Sequence, residues 1–279
     1  MFADATAHGE LDRSRFELEF DGLEIGGAAV GGAALDASRW VDHYLPQWTT
    51  PERSAARYDL GERGLRLRID ADQPAWRDED GELRVSNLQT GTFSGPVGSG
   101  IGTHRHAPGM TVRTEVPTRR LYTPTEGLVE ATLQASADPT CMLAIWLVGF
   151  EESSPEDSGE ICVAELFGDA IGPRRSRVRL GVKAINDPRL RTDVEDVVLP
   201  IDATEPHSYG AEWDLDGVRF WIDGRLVRTV QQRIDYPLQL MVDLFEFPAQ
   251  PERDPLHYPK SAHVNAVRGY RNRDLRSAT

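Results

Sequence analysis

Two glutamates interrupt an otherwise apolar stretch in the middle of this chain. The segment GEICVAELFG carries Glu160 and Glu165, and Cys162 lies between them. A carboxylate that is buried without a partner costs free energy, so two of them in a core-like segment indicate a function. Paired carboxylic acids can serve as a nucleophile and as a general acid or base.

Two neighbouring segments must position these side chains. Residues 141–150 are apolar almost throughout, and residues 151–159 are rich in acidic residues, Ser, Pro and Gly. Short apolar runs with aromatic and β-branched residues are typical of buried strands, and the polar segment is typical of a hairpin loop. The first run is therefore predicted to pair with residues 160–167. This pairing keeps Cys162 far from Cys141, so no disulfide is expected and a reducing compartment fits.

The rest of the chain shows the pattern of an all-β protein. Turn signals such as Asp-Gly and Asp-Pro separate short apolar runs, and no segment shows a helical period. Further strands are predicted at residues 65–69, 83–85, 110–116, 127–135, 177–185, 209–213, 217–222, 225–230, 238–247 and 262–270. Many short strands indicate a sandwich or jelly roll. We expect one domain over residues 1–279, in which residues 1–35 form an extension with an edge strand at 16–20 and a loop at 25–34.

The net charge of −14 limits the partners of this protein. Nucleic acids and anionic membranes both need a basic surface, so neither is expected as a partner. The longest apolar run is too short to cross a bilayer, and the start of the chain lacks the apolar core of a signal peptide. As written, the chain is expected in the cytoplasm, and removal of a leader would instead indicate a secreted protein. We expect a monomer.

Five segments, in chain order between residues 60 and 272, resemble glycoside hydrolase family 16. They read TEGLVEATLQA, LAIWLVG, GEICVAELFG, HSYGAEWDLDGVRFWIDGRLV and AHVNAVRGYR. The fourth follows the family pattern His-x-Tyr-x-x-x-Trp with its Asp-Gly turns. The resemblance implies an all-β fold, the concanavalin A-like jelly roll β-sandwich of two curved antiparallel sheets. In that fold the concave sheet forms a glycan cleft.

The catalytic motif of the family is Glu-x-Asp-x-Glu, or Glu-x-Asp-x-x-Glu in a bulged form. The spacing from Glu160 to Glu165 matches the bulged form, which implies that Glu160 is the nucleophile and Glu165 the general acid/base. In a regular strand these two side chains point to opposite faces, and one extra residue in a β-bulge returns them to one face. Carboxyl groups about 5–5.5 Å apart are the arrangement for retaining glycoside hydrolysis. A charged Glu160 would help to keep Glu165 protonated.

Cys162 stands where the family motif has an aspartate that hydrogen-bonds the nucleophile. A thiol is a weak donor and is normally neutral, so the cluster has one negative charge fewer. This change should favour an ionised Glu160 and shift the pH profile of the activity. We count Cys162 among the catalytic-site residues for that reason, without assigning it a nucleophilic role.

Four other side chains are candidates for substrate binding. Trp146 lies on the strand before the motif and is either a sugar platform or a core residue. His104 and His106 are two apart, so they share a face if the chain is extended there; they either hydrogen-bond a substrate in the cleft or lie on the surface. No third ligand stands at a diagnostic spacing, so no metal site is predicted. Asp243 shares strand parity with apolar neighbours and is predicted to reach the cleft.

Two groups of side chains have open interpretations. One strand carries an alternating row of arginines that forms either a solvated strand face or a site for an acidic or sulfated glycan; these are Arg175, Arg177 and Arg179. Near the N-terminus, Trp40, Tyr44 and Trp48 either pack onto the body or offer a sugar-stacking surface. No cofactor is expected, although proteins of this fold class often hold a structural Ca²⁺ that no motif here specifies.

Together these features predict a retaining endo-type glycoside hydrolase or transglycosylase. Its substrate would be a β-linked polysaccharide or glycoside. One alternative is a carbohydrate-binding protein of the same fold that lacks catalysis. Another is an intracellular enzyme that acts on a small glycoside or a glycolipid.

Overall fold

The computed structural model describes residues 9–23, 35–61, 63–248 and 253–273. The loop predicted at residues 25–34 lies outside this range. Apart from short 3₁₀ turns, the helical structure within the range is a single turn at Pro51–Ser54. Among these residues no helix has the length and apolar character needed to cross a membrane.

Seventeen strands account for nearly half of the described chain. They are β1 Phe16–Leu23, β2 Arg57–Gly61, β3 Gly64–Ile69, β4 Arg84–Gln89, β5 Gly91–Thr92, β6 Arg119–Arg120, β7 Gly127–Gln134, β8 Cys141–Gly149, β9 Glu160–Phe167, β10 Ile171–Gly172, β11 Arg175–Lys183, β12 Asp193–Leu199, β13 His207–Asp214, β14 Gly217–Ile222, β15 Arg225–Val230, β16 Leu238–Glu246 and β17 Lys260–Asn272.

Two antiparallel sheets contain nearly all of these strands. The eight-stranded sheet has the order β15-β14-β13-β7-β17-β3-β2, and β1 pairs with β17. The seven-stranded sheet has the order β10-β11-β9-β8-β16-β4, and β12 pairs with β11. The remaining two strands, β5 and β6, pair with each other. The predicted β8–β9 hairpin is confirmed, as is the N-terminal strand, in which Phe16 and Phe20 are buried while Leu18 is exposed.

The main core fills the space between the two sheets. Strand alternation explains its composition, because every second residue of a strand points to the same face. In β3, for example, Leu65, Leu67 and Ile69 are fully buried while the arginines between them reach solvent. On the seven-stranded sheet, β9 contributes Ile161 and Val163 to this core.

A second apolar cluster covers much of the opposite face of the seven-stranded sheet. We call this face, which is turned away from the main core, the outer face. Loop residues pack onto the side chains of β4, β8, β9 and β16 there; they include Tyr44, Trp48, Trp76, Met110 and Val112. Tyr44 and Trp48 are 4% and 0% exposed, so both are packing residues rather than open sugar platforms.

The strand predicted at residues 110–116 is wrong. Met110 and Val112 are buried as a strand would bury them, but they pack on the outer face as part of a loop. The backbone of Val112 bonds to Gly98 and Ser99 instead of to a strand. The alternation of apolar residues therefore predicted correctly that Met110 and Val112 are buried, but it predicted incorrectly that they belong to a strand.

Candidate active site

A β-bulge in β9 brings the two glutamates to one face of the sheet. Ile145 on β8 pairs with Ala164, but the next residue, Trp146, pairs with Cys162. Val163 is therefore the extra residue, and the register with β11 shifts at the same place. The bulge predicted from the spacing is present, and it returns Glu165 to the outer face that carries Glu160.

The donor atoms of the motif lie close together and are buried. One carboxylate oxygen of Glu160, one of Glu165 and Sγ of Cys162 all lie within 4.8 Å of one another. Glu160 is 2% exposed, Glu165 4% and Cys162 0%. The two carboxyl groups are thus about as close as retaining glycoside hydrolysis requires.

Lys183 bonds both glutamates. It is the last residue of β11 and lies opposite Glu160 in the sheet register. Its Nζ is 2.8 Å from Oε1 of Glu160 and 2.6 Å from Oε1 of Glu165. The ammonium also lies 5.3 Å from the centre of the Trp146 ring, which allows a cation–π contact. Sequence reasoning missed Lys183, because only the pairing of β9 with β11 places it beside the motif.

Burial and charge act against each other in this cluster. Burial raises the pKa of Glu160, while the charge of Lys183 and its hydrogen bond act in the opposite direction. Burial alone would lower the pKa of Lys183, but the charges of Glu160 and Glu165 outweigh it and raise that pKa. Lys183 is therefore an ammonium ion over the whole physiological range.

Cys162 is a neutral thiol in this setting. Burial raises its pKa well above the ordinary value, and the charge of Glu165 adds to the effect. Its Sγ makes one long contact of 3.6 Å with the carbonyl oxygen of Arg179. The thiol thus fills the position of the family aspartate without adding a negative charge.

Asp243 lies on the outer face, as its parity predicted, but it is fully buried. Asn87 on β4 donates a hydrogen bond of 2.6 Å to its Oδ1. Burial raises the pKa of Asp243 well above the ordinary value, and the charges of Glu160 and Glu165 add to this. The raised pKa favours the neutral acid at Asp243, which is separated from Glu165 in the sheet by Ala144 of β8.

Trp146 is a packing residue on the outer face, and its predicted role as a sugar platform stays a prediction. Its side chain lies on the outer face next to the glutamates, yet it is only 7% exposed. It packs against Phe245, with ring centres 5.4 Å apart, and its Nε1 has no hydrogen-bond partner within the described structure. A buried indole donor without a partner could serve an incoming hydroxyl group.

His104 and His106 do not lie on an extended segment. His104 has a left-handed backbone with φ of 57°, and the residues around it form turns rather than a strand. The two rings still meet, with centres 5.4 Å apart. Burial lowers the pKa of His104 to about 3, with further contributions from His106 and Lys183, so the ring is neutral. The described hydrogen bonds join neither ring to the glutamates.

Glu151 anchors this histidine turn to the end of β8. Its carboxylate accepts the backbone N–H of His104, and Thr103 donates a 2.9 Å hydrogen bond to the carbonyl of Phe150. Burial raises the pKa of Glu151 to about 8, although the backbone donors partly oppose the shift. A pocket of about 640 Å³ opens beside this turn; its lining includes Phe93, Arg105, His106 and Asn186 but none of the motif residues.

No family model and no curated protein matches this sequence. Solved structures do match. An endo-β-galactosidase from Clostridium perfringens that releases GlcNAcα1-4Gal superposes with a TM-score of 0.78 at 23% identity, covering 97% of this chain but only 66% of that enzyme. A laminarinase from Rhodothermus marinus matches with a TM-score of 0.61 at 19% identity, covering 92% and 98% of the two chains. A non-specific endo-β-1,3(4)-glucanase of family 16 matches with a TM-score of 0.56 at 16% identity, covering 95% and 94%.

The chain has the jelly-roll fold of glycoside hydrolase family 16. The predicted fold class, a concanavalin A-like sandwich of two antiparallel sheets, is therefore confirmed. In this family 16 fold, the bulged strand β9 occupies the middle of the seven-stranded sheet.

Beside the glutamates, part of the outer face remains open. Phe167 and Phe247 are half-buried and stack, with ring centres 6.2 Å apart and planes 18° apart. The guanidinium of Arg179 lies 5.1 Å from the ring centre of Phe167. Half-exposed aromatic rings are suitable surfaces for the apolar faces of sugars. Sequence reasoning missed both phenylalanines, although each stands at the end of an outer-face strand.

The arginine row extends the open surface along β11. Arg179 donates a 2.8 Å hydrogen bond to Asp196 on β12, and Arg177 lies 3.6 Å from the same carboxylate. Arg175 is exposed and has no ion-pair partner among the described residues. The row is thus solvated and only partly neutralised, so both predicted interpretations stay open at this point.

The motif also contains a possible set of metal ligands. Two carboxylates and a thiol within 4.8 Å form a donor set that can hold a cation. The ammonium of Lys183 already bonds two of the three ligands. A metal ion would have to displace that charge, so the geometry favours carboxylate chemistry over metal binding.

Proposed function

We propose that this protein is a retaining endo-type glycoside hydrolase or transglycosylase that acts on a β-linked polysaccharide. The observation that carries the proposal is the bulge in β9, which sets two buried carboxyl groups within 4.8 Å on the outer face. The fold is one on which a laminarinase and an endo-β-galactosidase are built. Those likenesses support the proposal through the fold alone.

In the proposed reaction, Glu160 attacks the anomeric carbon while Glu165 protonates the leaving oxygen. The glycosyl-enzyme ester then reacts with water that Glu165 deprotonates, which gives hydrolysis with retention. A sugar hydroxyl in place of water gives transglycosylation. Phe167 and Phe247 supply a stacking surface for the glycan, and Trp146 forms the apolar wall beside the reacting ring.

The activity can be tested with a panel of β-1,3-glucans, β-1,4-glucans and β-galactans. Reducing-end release is measured for the wild type, for Glu160→Gln and for a control, Glu205→Gln. Glu205 is an exposed residue before β13 in the other sheet. We expect release by the wild type and the control and none by Glu160→Gln. Equal release by all three proteins would contradict the proposal.

The second candidate is a carbohydrate-binding protein without catalysis. It is favoured by Lys183, which neutralises the glutamate pair as a structural ion cluster would. The same panel separates the two candidates when binding is measured by calorimetry beside reducing ends. Glycan binding without release, unchanged by Glu160→Gln, would establish the second function.

Two further properties belong to the proposal. We expect a monomer whose partner is a polysaccharide or oligosaccharide, with no contribution from nucleic acid or a membrane. Light scattering after size-exclusion chromatography should give a mass near 31.1 kDa, and a dimer mass would contradict this part.

A further inference from the structure

The resting site pairs Glu165 with the ammonium group of Lys183. Oε1 of Glu165 accepts a 2.6 Å hydrogen bond from this ammonium. A general acid must present its acidic oxygen to the leaving group, and the ammonium of Lys183 already occupies Oε1 of Glu165. If the proposed function holds, on which this inference rests, catalysis requires Lys183 to move away from Glu165.

Within the described structure, Lys183 has ion pairs with Glu160 and Glu165 alone. Its other charged or titratable neighbours are Cys162, which stays neutral, and the uncharged ring of His104. On the neighbouring strand β12, Asp196 is already bonded to Arg179, and Asp193 is bonded to Arg228. Among the described residues of β12, these two carboxylates are therefore already paired, and the Lys183 side chain is 24% exposed.

The same face of β11 continues as a row of positive charge. Arg175, Arg177 and Arg179 alternate along the strand and share a face with Lys183, from which Gly181 separates them; Arg177 and Arg175 are exposed. This row contrasts with the net charge of −14 for the chain. Guanidinium and ammonium groups in such a row match sulfate and carboxylate groups.

We propose that Lys183 selects glycans that carry an anionic substituent, a sulfate or a carboxylate, near the scissile bond. The substituent takes over the ammonium from Glu165. Glu165 then acquires a proton from solvent, while Lys183 stays protonated and paired with the substrate. A neutral glycan leaves the Lys183–Glu165 pair in place and is cleaved slowly. Lys183 is a specificity-determining residue in this scheme, because it contacts the substrate and sets which charge the site accepts.

The test compares three forms of one oligosaccharide: a β-1,3-glucan or β-galactan oligosaccharide, its sulfated form, and a form oxidised to carboxylates at C6. For the wild type we expect kcat/KM to be about tenfold higher on one or both anionic forms, as a charge-assisted hydrogen bond implies. Lys183→Met should reduce this ratio to about one and should retain activity on the neutral form. The control Arg225→Gln removes a positive charge from an exposed position on β15 and should keep the preference.

Each possible result of this test either supports or overturns the role proposed for Lys183. Equal wild-type rates on neutral and anionic forms overturn it and leave the proposed function intact. A preference that survives Lys183→Met also overturns it. If Lys183→Met does not fold, the wild-type rates alone decide. If the wild type cleaves none of the three forms, the proposed function fails, and the inference is overturned with it because it rests on that function.

Discussion

Replacing Lys183 by Met tests the ion cluster at the centre of the site. Removal of the ammonium leaves Glu160 and Glu165, 2% and 4% exposed, within 4.8 Å of each other without a cation. Breaking a buried ion pair costs about 3–5 kcal/mol. Because the Lys183 side chain is 24% exposed, water softens this cost, and we expect a loss of about 2–3 kcal/mol in the free energy of unfolding at pH 8.

The loss in the free energy of unfolding should become smaller as the pH falls. In the variant, the folded carboxyl pair shares a proton more readily than the unfolded chain, so the folded state binds more protons. Stability of Lys183→Met therefore rises as the pH falls toward the ordinary glutamate range. At pH 5 we expect the loss relative to wild type to shrink to about 1 kcal/mol or less, since one proton relieves most of the repulsion.

Urea denaturation at pH 8 and pH 5 measures both quantities. The other lysine of the chain gives a matched control: Lys260 pairs with Asp138. Burial alone would raise the pKa of Asp138, but its hydrogen bonds with Lys260 and Thr140 outweigh this and lower the pKa, so Lys260→Met should lose similar stability at both pH values. A loss for Lys183→Met below about 0.5 kcal/mol at pH 8, or an equal loss at both pH values, would refute the reasoning.

Four other variants probe single residues. Glu160→Gln should lower kcat at least about 10³-fold because it removes the nucleophile. Cys162→Ala should keep measurable turnover because the thiol is neutral. Equal losses of kcat for the two variants in steady-state assays would contradict these roles. Glu151→Gln should gain stability over wild type as the pH rises from 4.5 to about 8, by up to about 4 kcal/mol. The reason is that the wild-type carboxyl, with its pKa raised to about 8, stays protonated in the folded state while it ionises in the unfolded chain. The prediction would be refuted if thermal denaturation gave the same stability difference between Glu151→Gln and wild type at every pH. Asp243→Asn should cost less than about 1 kcal/mol in urea unfolding because Asp243 is already neutral, and a loss above about 2 kcal/mol would show an ionised carboxylate.

Local pattern was sufficient to predict most of the sheet. Alternation identified most of the strands, including β1, and the spacing of Glu160 and Glu165 predicted the bulge, because side-chain direction in a strand depends only on residue count. Strand β12 was missed, since acidic residues interrupt its apolar run and it lies at an edge of the sheet.

Features that depend on contacts distant in sequence could not be predicted. Lys183 reaches the glutamates only because β11 pairs with β9 in one particular register. His104 was expected on an extended segment, whereas the carboxylate of Glu151 holds its backbone in a left-handed turn. Met110 showed the burial of a strand residue, but its partners are outer-face side chains rather than a ladder. The contact that decides each structure joins residues that the local sequence pattern does not connect. His104 and Glu151, for example, lie 47 positions apart.

The central claim is that Glu160 is the nucleophile of a retaining glycosidase. A 2-fluoro glycosyl fluoride that matches a substrate found in the glycan panel should trap the glycosyl-enzyme. Peptide mass spectrometry is then expected to find one glycosyl group on the peptide that contains Glu160, and none in Glu160→Gln. A label on Cys162, or cleavage that releases the inverted anomer without any covalent adduct, would contradict the claim.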